Sequence, residues 1–540
     1  MRPVRETELT DTYDIAIAGS GFAGSLTAMI AKRLGYSVVL LERGQHPRVV
    51  IGESSTPLAN LSLEELCRRY DLPAIAPLAK WGSWQRNYPY IGCGLKRGFT
   101  FYHRRLDKPD DPNTSCDNQL LVAASPHDEI ADTHWYRADF DSYFVEQAQE
   151  LGVDYLDEAH VDQIDLGQTG VSLGGVRRGA SFSMNAQFLI DATGPRGLLH
   201  HALGLTESTL PDYPATQALY SHFSGVTRPA PLSESGSAPY PPEDAAVHHV
   251  MDGGWIWVLR FNNGITSAGI AANDKLAAHL RLDEGSDAWH RLLRRIPTLQ
   301  TQFASAKAAQ PFRHLPRLSF LSSRVAGHRW AMLPSAAGFV DPLLSTGFPL
   351  TLLGIERLAR ILESGLDSRS LRSDLEAYER VTTDELLATA RLIAALYANM
   401  RNFALFKSLC LLYFAAASYS ETARRLGKPH LASSFLLHDH PQFGPRSKVL
   451  IERAMHISGN TEADRLREDI LQAIEPIDVA GLRKPNTRSW YPVDAADLLA
   501  SCSKLESTPI EIESLLLRCG FHEPQTHSRP VSFNGVAAQL

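Results

Sequence analysis

A glycine-rich turn near the start of the sequence places the strongest constraint on the fold. Gly19, Gly21 and Gly24 have the spacing Gly-x-Gly-x-x-Gly and follow a short apolar run at residues 13–18. The run predicts a buried strand, the apolar spacing after the turn predicts a helix, and residues 37–42 predict a second strand. These elements make a βαβ unit with parallel strands. The sequence therefore predicts an α/β fold that begins with a Rossmann-type unit.

Each glycine of the turn has a physical task in a dinucleotide site. Gly19 permits the tight turn, Gly21 lets a pyrophosphate approach the backbone, and Gly24 lets the helix pack closely on the strand. The amino terminus of the helix offers free amide groups and positive dipole to the phosphates. Glu42, which ends the second strand, can accept a hydrogen bond from a ribose hydroxyl. NAD and FAD both suit such a unit, so other segments must distinguish them.

Charge and composition exclude several kinds of partner. The chain has 53 Lys and Arg against 60 Asp and Glu, a formal charge of −7, which gives no electrostatic basis for binding nucleic acid or anionic lipid. No uninterrupted apolar run has the roughly 18 residues of a membrane span, and the best candidate is residues 409–417. The six cysteines form no Cys-x-x-Cys pair, and no metal site is predicted. We therefore expect a cytoplasmic protein without a membrane span.

Four further segments have the order and spacing of one protein family. They begin at Gly52 (Gly-Glu-Ser-Ser-Thr-Pro), Arg137 (Arg-Ala-Asp-Phe-Asp), Leu189 (Leu-Ile-Asp-Ala-Thr-Gly) and Asp341 (Asp-Pro-Leu-Leu-Ser-Thr-Gly-Phe). Over about residues 12–360 the chain resembles the flavin-dependent halogenases and the related single-site flavoprotein monooxygenases and reductases. The carboxy-terminal third shows less of this resemblance.

The resemblance implies FAD as the cofactor. Arg137 and the Thr193-Gly194 turn would lie against it. The residues implied to bind FAD are Gly19, Gly21, Phe22, Ala23, Gly24, Glu42, Glu53, Ser54, Ser55, Arg137, Thr193, Gly194, Asp341, Gly347 and Phe348. One motif departs from the family: Pro334-Ser335-Ala336 stands where its members have Gly-Asp-Ala, which removes an anionic acceptor for the ribityl chain. We therefore expect weaker flavin binding than is typical.

The chain is long enough for more than one structural unit. At 540 residues it exceeds what one hydrophobic core usually organises. We predict a discontinuous Rossmann-type FAD-binding domain, a β-sheet region for the substrate and a mostly helical carboxy-terminal region. The predicted bounds are 12–79, 126–212 and 325–372 for the FAD-binding domain, 80–125 and 213–324 for the substrate-binding region, and 373–540 for the helical region.

Two tryptophans on one predicted strand resemble a halogenase motif. Trp255 and Trp257 match the first part of its Trp-x-Trp-x-Ile-Pro element, although Leu259-Arg260 replaces Ile-Pro. Side chains two residues apart on a strand share a face, so the indoles would form an apolar wall between the substrate and the flavin. The alternative is a strand that packs its aromatic residues into a core.

A lysine before an alternating aromatic strand is the candidate catalytic residue. Lys96 precedes Gly98-Phe99-Thr100-Phe101 and resembles the family's Lys-x-Gly-x-x-Phe stretch. An ammonium in a partly dry tunnel could hydrogen-bond hypohalous acid, or its amine could form a haloamine. The alternative is a solvated surface lysine. Lys80, before Trp81, is a competing candidate.

The Thr346-Gly347 turn is the candidate halide site. Backbone amides of such a turn at the start of a helix can bind an anion, although the same residues could form an ordinary helix start capped by Ser345. Leu344 stands where tryptophan halogenases have Glu, so free tryptophan is a poor substrate. Phenolic or pyrrolic rings fit better, because an activated ring needs less help toward electrophilic attack.

The predicted function is that of a flavin-dependent halogenase. It would use reduced FAD, oxygen and chloride or bromide to make hypohalous acid, which Lys96 would direct to an aromatic substrate, free or tethered to a carrier protein. A second glycine-rich nucleotide turn is absent from the sequence, which favours a separate flavin reductase. The alternatives are an FAD-dependent monooxygenase or reductase of an aromatic or prenyl substrate, and a degenerate flavoprotein without catalysis.

Overall fold

The computed structural model describes residues 12–106, 108, 116–210, 212–229, 238–484 and 488–521. In these residues the strands are β1 (Thr12–Ala18), β2 (Val38–Leu41), β3 (Cys93–Lys96), β4 (Gly98–His103), β5 (Gln119–Ala123), β6 (Asp132–Trp135), β7 (Asp154–Leu156), β8 (Ala159–Leu166), β9 (Val171–Arg177), β10 (Ala180–Asp191), β11 (Thr216–Ser224), β12 (Ala246–Met251), β13 (Gly254–Arg260), β14 (Ile265–Asn273), β15 (Lys307–Ala308), β16 (Arg313–Leu315), β17 (Phe320–Leu321), β18 (Ala326–Gly327), β19 (Trp330–Met332), β20 (Gly338–Phe339) and β21 (Trp490–Tyr491).

The α-helices in the same residues are α1 (Phe22–Arg33), α2 (Pro57–Arg69), α3 (Trp81–Asn87), α4 (Arg137–Glu150), α5 (Leu198–Ala202), α6 (Asp274–Leu280), α7 (Ser286–Arg294), α8 (Pro297–Gln302), α9 (Pro334–Ala337), α10 (Gly347–Glu363), α11 (Leu371–Ala398), α12 (Phe403–Arg425), α13 (Phe443–Ala454), α14 (Asn460–Ala473), α15 (Ala495–Ala500) and α16 (Pro509–Arg518).

The first sheet contains the predicted βαβ unit. Its order is β18-β19-β10-β1-β2-β7, and β1 pairs in parallel with both β2 and β10. All four residues of β2 are buried, as expected for a strand covered on both faces. In β1, Ala18 lies opposite Asp191 of β10, so the two strands end together at the edge where the glycine-rich turn begins. Parallel sheets bind ligands at this carboxyl edge.

The second sheet contains the strand with the two tryptophans and the strand that follows Lys96. Its order is β15-β11-β14-β13-β12-β4-β5-β21, and β13 and β14 form the hairpin that Asn262-Asn263-Gly264 predicts. The pair β12 and β4 is parallel, and it brings the strand that follows Lys96 next to the tryptophan hairpin. At its edge, β21 from the carboxy-terminal region pairs with β5.

Three long helices that follow the predicted halide loop pack on both sheets. Helices α10, α11 and α12 contribute buried apolar side chains to the same core as the first sheet. In the described residues α12 is the one helix that is long and apolar enough to cross a membrane, which a search for uninterrupted apolar runs does not detect because polar residues interrupt its sequence. Its apolar window is 78% buried in the protein, and a core helix passes the same test.

Candidate active site

Two glycines of the turn lie where a side chain does not fit. Gly19 has a φ of +97°, and a Cβ there would lie 2.5 Å from the carbonyl oxygen of Ala192. A Cβ at Gly24 would lie 1.9 Å from the carbonyl oxygen of Gly19. Both contacts are with backbone, so a larger residue would push α1 away from the end of β1. The glycines therefore fix the amino terminus of α1 at the carboxyl edge of the sheet.

Two guanidinium groups flank Gly21. A Cβ at Gly21 would lie 3.5 Å from Nη2 of Arg137 and 3.7 Å from Nη2 of Arg48. Arg137 donates to both carboxylate oxygens of Asp141 at 2.8 Å, and Asp141 also accepts from the Phe22 amide. Helix amides and guanidinium groups are donors suited to a pyrophosphate. The residues around this turn therefore fit the phosphates of FAD.

Glu42 lies beside the same turn as an ionised carboxylate. Its Oε2 accepts hydrogen bonds from the amide and hydroxyl of Ser20 at 3.1 and 2.9 Å, and from Arg48 at 3.1 Å. Burial alone would raise the pKa of Glu42, but Arg48 and the hydrogen bonds outweigh it and hold the pKa below its usual value. A carboxylate in this state suits the ribose contact predicted for it.

The segment after β2 is anchored from both sides. Arg137 Nη1 donates to the carbonyl oxygen of Gly52 at 2.9 Å. The Glu53 carboxylate lies 2.8 Å from Nε2 of His222 on β11, and both side chains are buried. The Ser55 amide donates to the carbonyl oxygen of Thr133. Residues 52–55 are thus fixed between the nucleotide turn and the second sheet.

An aromatic cluster joins the first and the last of the predicted FAD motifs. The rings of Phe22 and Phe348 meet edge to face with centroids 5.2 Å apart, and Trp135 stacks on Phe348 at 4.3 Å. The Arg137 guanidinium lies 5.1 Å from the centre of the Phe22 ring. The amino termini of α1 and α10, which are more than 300 residues apart in sequence, are therefore neighbours.

The Thr193-Gly194 turn is organised by the last residue of β10. Oδ1 of Asp191 accepts from the amide and the hydroxyl of Thr193 at 2.8 and 2.6 Å, and its Oδ2 accepts from the Leu199 amide. Burial raises the pKa of Asp191. Gly194 has a φ of +88°, and a Cβ there would meet no atom within 4 Å, so this turn faces open space.

Lys96 is fully buried, unlike an ordinary lysine. Its Nζ donates to Oγ of Ser54 at 2.9 Å and to the carbonyl oxygen of Ser55, and it lies 3.8 Å above the centre of the Phe99 ring. Burial lowers the pKa of Lys96 to about 7, although the Asp132 carboxylate opposes this change. A dry lysine that changes its charge near neutral pH can serve as an ammonium or as a free amine.

The competing lysine has a different environment. Nζ of Lys80 forms an ion pair with Glu64 at 2.6 Å, and the side chain is 31% exposed. Partly exposed pairs of this kind are common on protein surfaces. The structure therefore gives Lys80 the environment of a structural surface charge.

The two tryptophans lie on one face of β13. Their ring centroids are 5.6 Å apart, and both rings are buried. Nε1 of Trp257 donates to Ser267, whereas Nε1 of Trp255 donates to Oδ1 of Asp341 at 3.2 Å. The indoles are thus hydrogen-bonded into fixed orientations.

Asp341 links this wall to the helical region. Its Oδ2 accepts from the hydroxyls of Tyr397 on α11 and Tyr213 at 2.9 and 3.2 Å, and its Oδ1 also accepts from the Leu343 amide. Burial raises the pKa of Asp341 to about 6 in spite of these donors. The loop that carries the predicted halide site therefore begins at a residue fixed by three other parts of the fold.

The halide loop has an unusual backbone. Leu344 and Ser345 have φ values of +63° and +55°, a conformation that costs free energy in residues other than glycine. Ser345 makes no side-chain cap to α10, so the simple capped helix start is not what the structure shows. Thr346 is buried, and a Cβ at Gly347 would meet no atom within 4 Å. The strained loop thus turns Gly347 toward open space at the start of α10.

One cavity collects many of the predicted residues. We call it the inner cavity, and it is lined by Ile51, Gly52, Glu53, Ser54, Ala246, His248, Trp255, Trp257, Leu259, Phe339, Asp341, Pro342, Ser345, Gly347 and Phe348. Lys96 and Glu42 are outside this lining, but Lys96 bonds to Ser54, which is part of it. Predicted FAD, halide and tryptophan residues therefore meet in one place. In the described residues no group of His, Cys, Asp or Glu could hold a metal ion.

Several residues at the site are not singled out by the sequence. Arg48 and His222 contact the motif residues Glu42 and Glu53, but they lie in segments without a motif. Asp141 belongs to the Arg137 motif, where its spacing of four residues on a helix signals the ion pair. Asp132, the strand partner of Lys96, has no local signal, because strand pairing is not visible in one sequence.

Comparison with known proteins identifies the family. A sequence profile described as tryptophan halogenase matches residues 131–407, just over half of the chain. The chain belongs to this family, the flavin-dependent halogenases. Tetracycline 7-halogenase of Kitasatospora aureofaciens is 31% identical over 383 residues, which are 68% of this chain and 65% of that protein, a little under two thirds of its length. Monodechloroaminopyrrolnitrin halogenase PrnC of Pseudomonas fluorescens is 27% identical and aligns over 73% of this chain and 69% of its own.

Solved structures agree with the halogenase family. The structure of halogenase PltM with phloroglucinol and FAD has a TM-score of 0.77 and 25% identity to this chain, and the match covers 88% of this chain and 99% of that one. The predicted family and its α/β fold with a helical carboxy-terminal region are confirmed, and the structure adds that the sheets are mixed. FAD, which PltM contains, is the cofactor of this halogenase fold, and the family implies a halide ion.

Proposed function

We propose that this chain is a halogenase that uses reduced FAD, oxygen and chloride or bromide to halogenate an electron-rich aromatic ring, phenolic or pyrrolic. The observation that carries the proposal is the position of Lys96. Its buried Nζ donates to Ser54 on the wall of the inner cavity and lies 3.8 Å from the centre of the Phe99 ring. A lysine so placed can receive a small oxidant from one side and present it on the other.

The predicted residues would have separate roles in binding FAD, the halide and the aromatic substrate. The glycine-rich turn, Arg137 and Arg48 would hold the FAD phosphates, and Glu42 would orient the ribose. Reduced FAD, when bound, would supply the two electrons with which oxygen and halide form hypohalous acid and water. The amides at Thr346 and Gly347 would hold the halide, and the wall of Trp255 and Trp257 would keep the aromatic ring away from the flavin.

A second cavity offers a place for the aromatic substrate. We call it the outer chamber. It has a volume of about 150 Å³. Its walls come from the strand after Lys96 and β5, from α12, and from the carboxy-terminal segments that pack beside them. The lining residues are Pro57, Phe99, Val122, Ala123, Ala124, Pro126, Ile130, Tyr413, Phe414, Ala417, Ser418, Glu421, Thr422, Arg425, Val479, Ala480, Leu482, Tyr491, Pro492, Val493, Asp494, Leu498, Leu515, Leu516, Cys519 and Phe521. Its mainly apolar lining suits an aromatic ring, and its few charged groups could orient polar substituents. Phe99 separates the chamber from Lys96.

The substrates named for similar proteins support the substrate class. PltM is solved with phloroglucinol, a phenol, and PrnC is named for monodechloroaminopyrrolnitrin. Leu344 in place of an acidic residue argues against free tryptophan. We further propose a cytoplasmic location and a separate flavin reductase, and a carrier-tethered substrate remains within the proposal.

The test compares Lys96→Ala with Lys80→Ala. Each variant receives reduced FAD, oxygen, bromide and a panel of phenols and pyrroles, and products are read by mass spectrometry. We expect Lys96→Ala to lose brominated product while still consuming reduced FAD, because oxidant formation does not need the lysine. Lys80→Ala should keep its product. Brominated product from Lys96→Ala would remove Lys96 from the mechanism, and an added oxygen atom in the wild-type product would indicate a monooxygenase instead.

A further inference from the structure

A carboxylate lies opposite the buried lysine. Strands β3 and β6 are antiparallel, and Lys96 and Asp132 are partners in their register. Residues that face each other in such a pair place their side chains on the same side of the ribbon, with Cβ atoms about 5 Å apart. Lys96 is 0% and Asp132 is 5% exposed. The pairing thus brings opposite charges together away from water, 36 residues apart in sequence.

A hydrogen-bonded chain fixes their relative position. Lys96 Nζ donates to the carbonyl oxygen of Ser55, and the Ser55 hydroxyl donates to Oδ1 of Asn60 at 2.8 Å. Nδ2 of Asn60 then donates to Oδ1 of Asp132 at 2.8 Å. Ser55 and Asn60 are both buried. Asn60 therefore fixes one carboxylate oxygen of Asp132 close to Ser54 and Ser55, the residues that also accept hydrogen bonds from Lys96.

The second carboxylate oxygen of Asp132, Oδ2, is available to interact with the positive charge of Lys96. Oδ2 is buried, and no hydrogen-bond donor reaches it from the described residues. A buried carboxylate oxygen without a partner is costly unless a nearby positive charge compensates it. Lys96 Nζ, in turn, contacts two neutral oxygens and a ring, and within the described part of the chain no carboxylate is in direct contact with it.

Other charged groups around the pair do not take this role. His134 on β6 and His248 on β12 are fully buried, and burial followed by repulsion from Lys96 lowers the pKa of each to about 3, so both are neutral. On α12, Glu421 and Arg425 act on Asp132 with opposite signs, and Tyr413 is a neutral phenol whose pKa burial raises. Among these groups, Lys96 and Asp132 are thus the two of opposite charge whose protonation states depend on each other.

We propose that Asp132 is a positioning residue that supplies the counter-charge of Lys96 and so sets the pH at which the lysine changes from ammonium to amine. The proposal rests on the proposed function, in which Lys96 handles the halogen. Burial raises the pKa of Asp132 and lowers that of Lys96, and the charge of each group opposes the shift of the other, so the two titrate as a coupled pair. Without the carboxylate, burial would lower the lysine's pKa further.

The charge of Lys96 decides which chemistry it can do. An ammonium can hydrogen-bond hypohalous acid. A neutral amine can attack it, so that an N–halogen bond forms, the O–halogen bond breaks, and the hydroxide leaves as water with a proton from the nitrogen. Transfer of the halogen to the ring then restores the amine, and the ring proton replaces the halogen on nitrogen. Asp132 would tune both routes through the same protonation equilibrium.

The decisive experiment measures the pKa of Lys96 in the folded chain. Protein labelled with ¹³C at lysine Cε is titrated by NMR, and the spectrum of Lys96→Arg assigns the Lys96 signal. We expect Asp132→Asn to lower the pKa of Lys96 by at least about one unit, a tenfold change in its protonation equilibrium. Asp132→Glu keeps a carboxylate and should restore most of the value. Asp132→Ser provides a second neutral variant if Asp132→Asn does not fold.

Glu421→Gln is the matched control. It removes a carboxylate near Asp132 that is not the strand partner of Lys96, so the lysine's pKa should move by less than about a third of a unit. The pH profile of phenol bromination gives a second readout. Its limb that reports Lys96 should move to lower pH in Asp132→Asn, whether the ammonium or the amine is the active form.

Each outcome has a distinct meaning. An unchanged lysine pKa in Asp132→Asn and Asp132→Ser would overturn the role of Asp132, even if the wild type halogenates phenols. An equal shift in Glu421→Gln would also overturn it, because it would show a general field effect and not a specific partner. A lowered lysine pKa in a protein that brominates no aromatic compound would support the charge pairing and reject the proposed function.

Discussion

The contact of Gly24 with Gly19 is one of the tightest that a glycine makes in the described part of the chain. A Cβ at Gly24 would lie 1.9 Å from a carbonyl oxygen and 3.1 Å from the Cβ of Ala192, so neither neighbour can yield easily. Overpacking of this kind costs about 3 kcal/mol, or prevents folding. We therefore expect Gly24→Ala to lower the free energy of unfolding in urea by about that amount and to weaken FAD binding.

Gly459→Ala is a control that separates the steric effect of an added Cβ from the general effect of replacing a glycine. Gly459 has open space around the position of its missing Cβ and precedes α14 on the surface. Gly459→Ala should cost about 0.5 kcal/mol, the usual difference at a helix start. If both variants lost the same small amount, the close approach at Gly24 would be disproved.

Three buried ionisable side chains are the second feature of note among individual residues. Lys96, Asp132 and Asp341 are all buried, and burial moves the pKa of each toward neutrality. Such groups are expensive to fold, and they concentrate at sites where a protein needs a proton to move or a charge to be held. Asp341 lines the inner cavity, and Lys96 reaches its wall through Ser54. A search of the sequence for motifs does not detect this concentration of buried ionisable groups.

Among the secondary-structure elements, α12 connects stability to the site. It has the composition of a membrane span, yet its buried face contributes Tyr413, Phe414 and Ala417 to the outer chamber. Leu409 on the same helix is fully buried. Leu409→Ala should therefore lower the free energy of unfolding by about 2–5 kcal/mol, as expected for a cavity in a core.

Val449 on the surface of α13 provides the comparison. Its side chain is 53% exposed, so Val449→Ala should change the free energy of unfolding by less than about 0.5 kcal/mol. Urea unfolding of both variants in aqueous buffer measures the difference. Equal and small effects would mean that α12 does not belong to the core of the folded protein.

Local elements and the pairing of strands that are close in sequence follow from the sequence, whereas the pairing of distant strands does not. The βαβ unit at β1, α1 and β2 and the hairpin of β13 and β14 are predicted because their signals lie within about 30 residues. The glycine contacts are predicted for the same reason. The pairing of β3 with β6, and of β21 with β5, joins segments whose sequences show no shared pattern. Asp132 and the outer chamber depend on those pairings, so the sequence does not reveal them.

In the molecule as a whole, Lys96 stands between two cavities. Ser54, which accepts from its Nζ, lines the inner cavity, and Phe99, under the same Nζ, lines the outer chamber. Strands β12 and β13 and the start of α10 line the inner cavity, whereas α12 and α16 line the outer chamber. The proposed function therefore needs both sides, and blocking the outer chamber should impair catalysis without affecting the flavin.

Ala417→Trp tests this separation, because Ala417 lines the outer chamber on α12 and an indole there would occupy the space proposed for the substrate. We expect kcat/KM for a phenol that the wild type brominates to fall at least about tenfold, a loss of about 1.4 kcal/mol of transition-state binding. FAD affinity, measured by flavin fluorescence, should stay within about twofold. Ala278→Trp on the exposed face of α6 is the matched control and should change neither value. Unaltered bromination in Ala417→Trp would place the aromatic substrate elsewhere, whereas a parallel loss of FAD binding would show that the two cavities do not act as separate compartments.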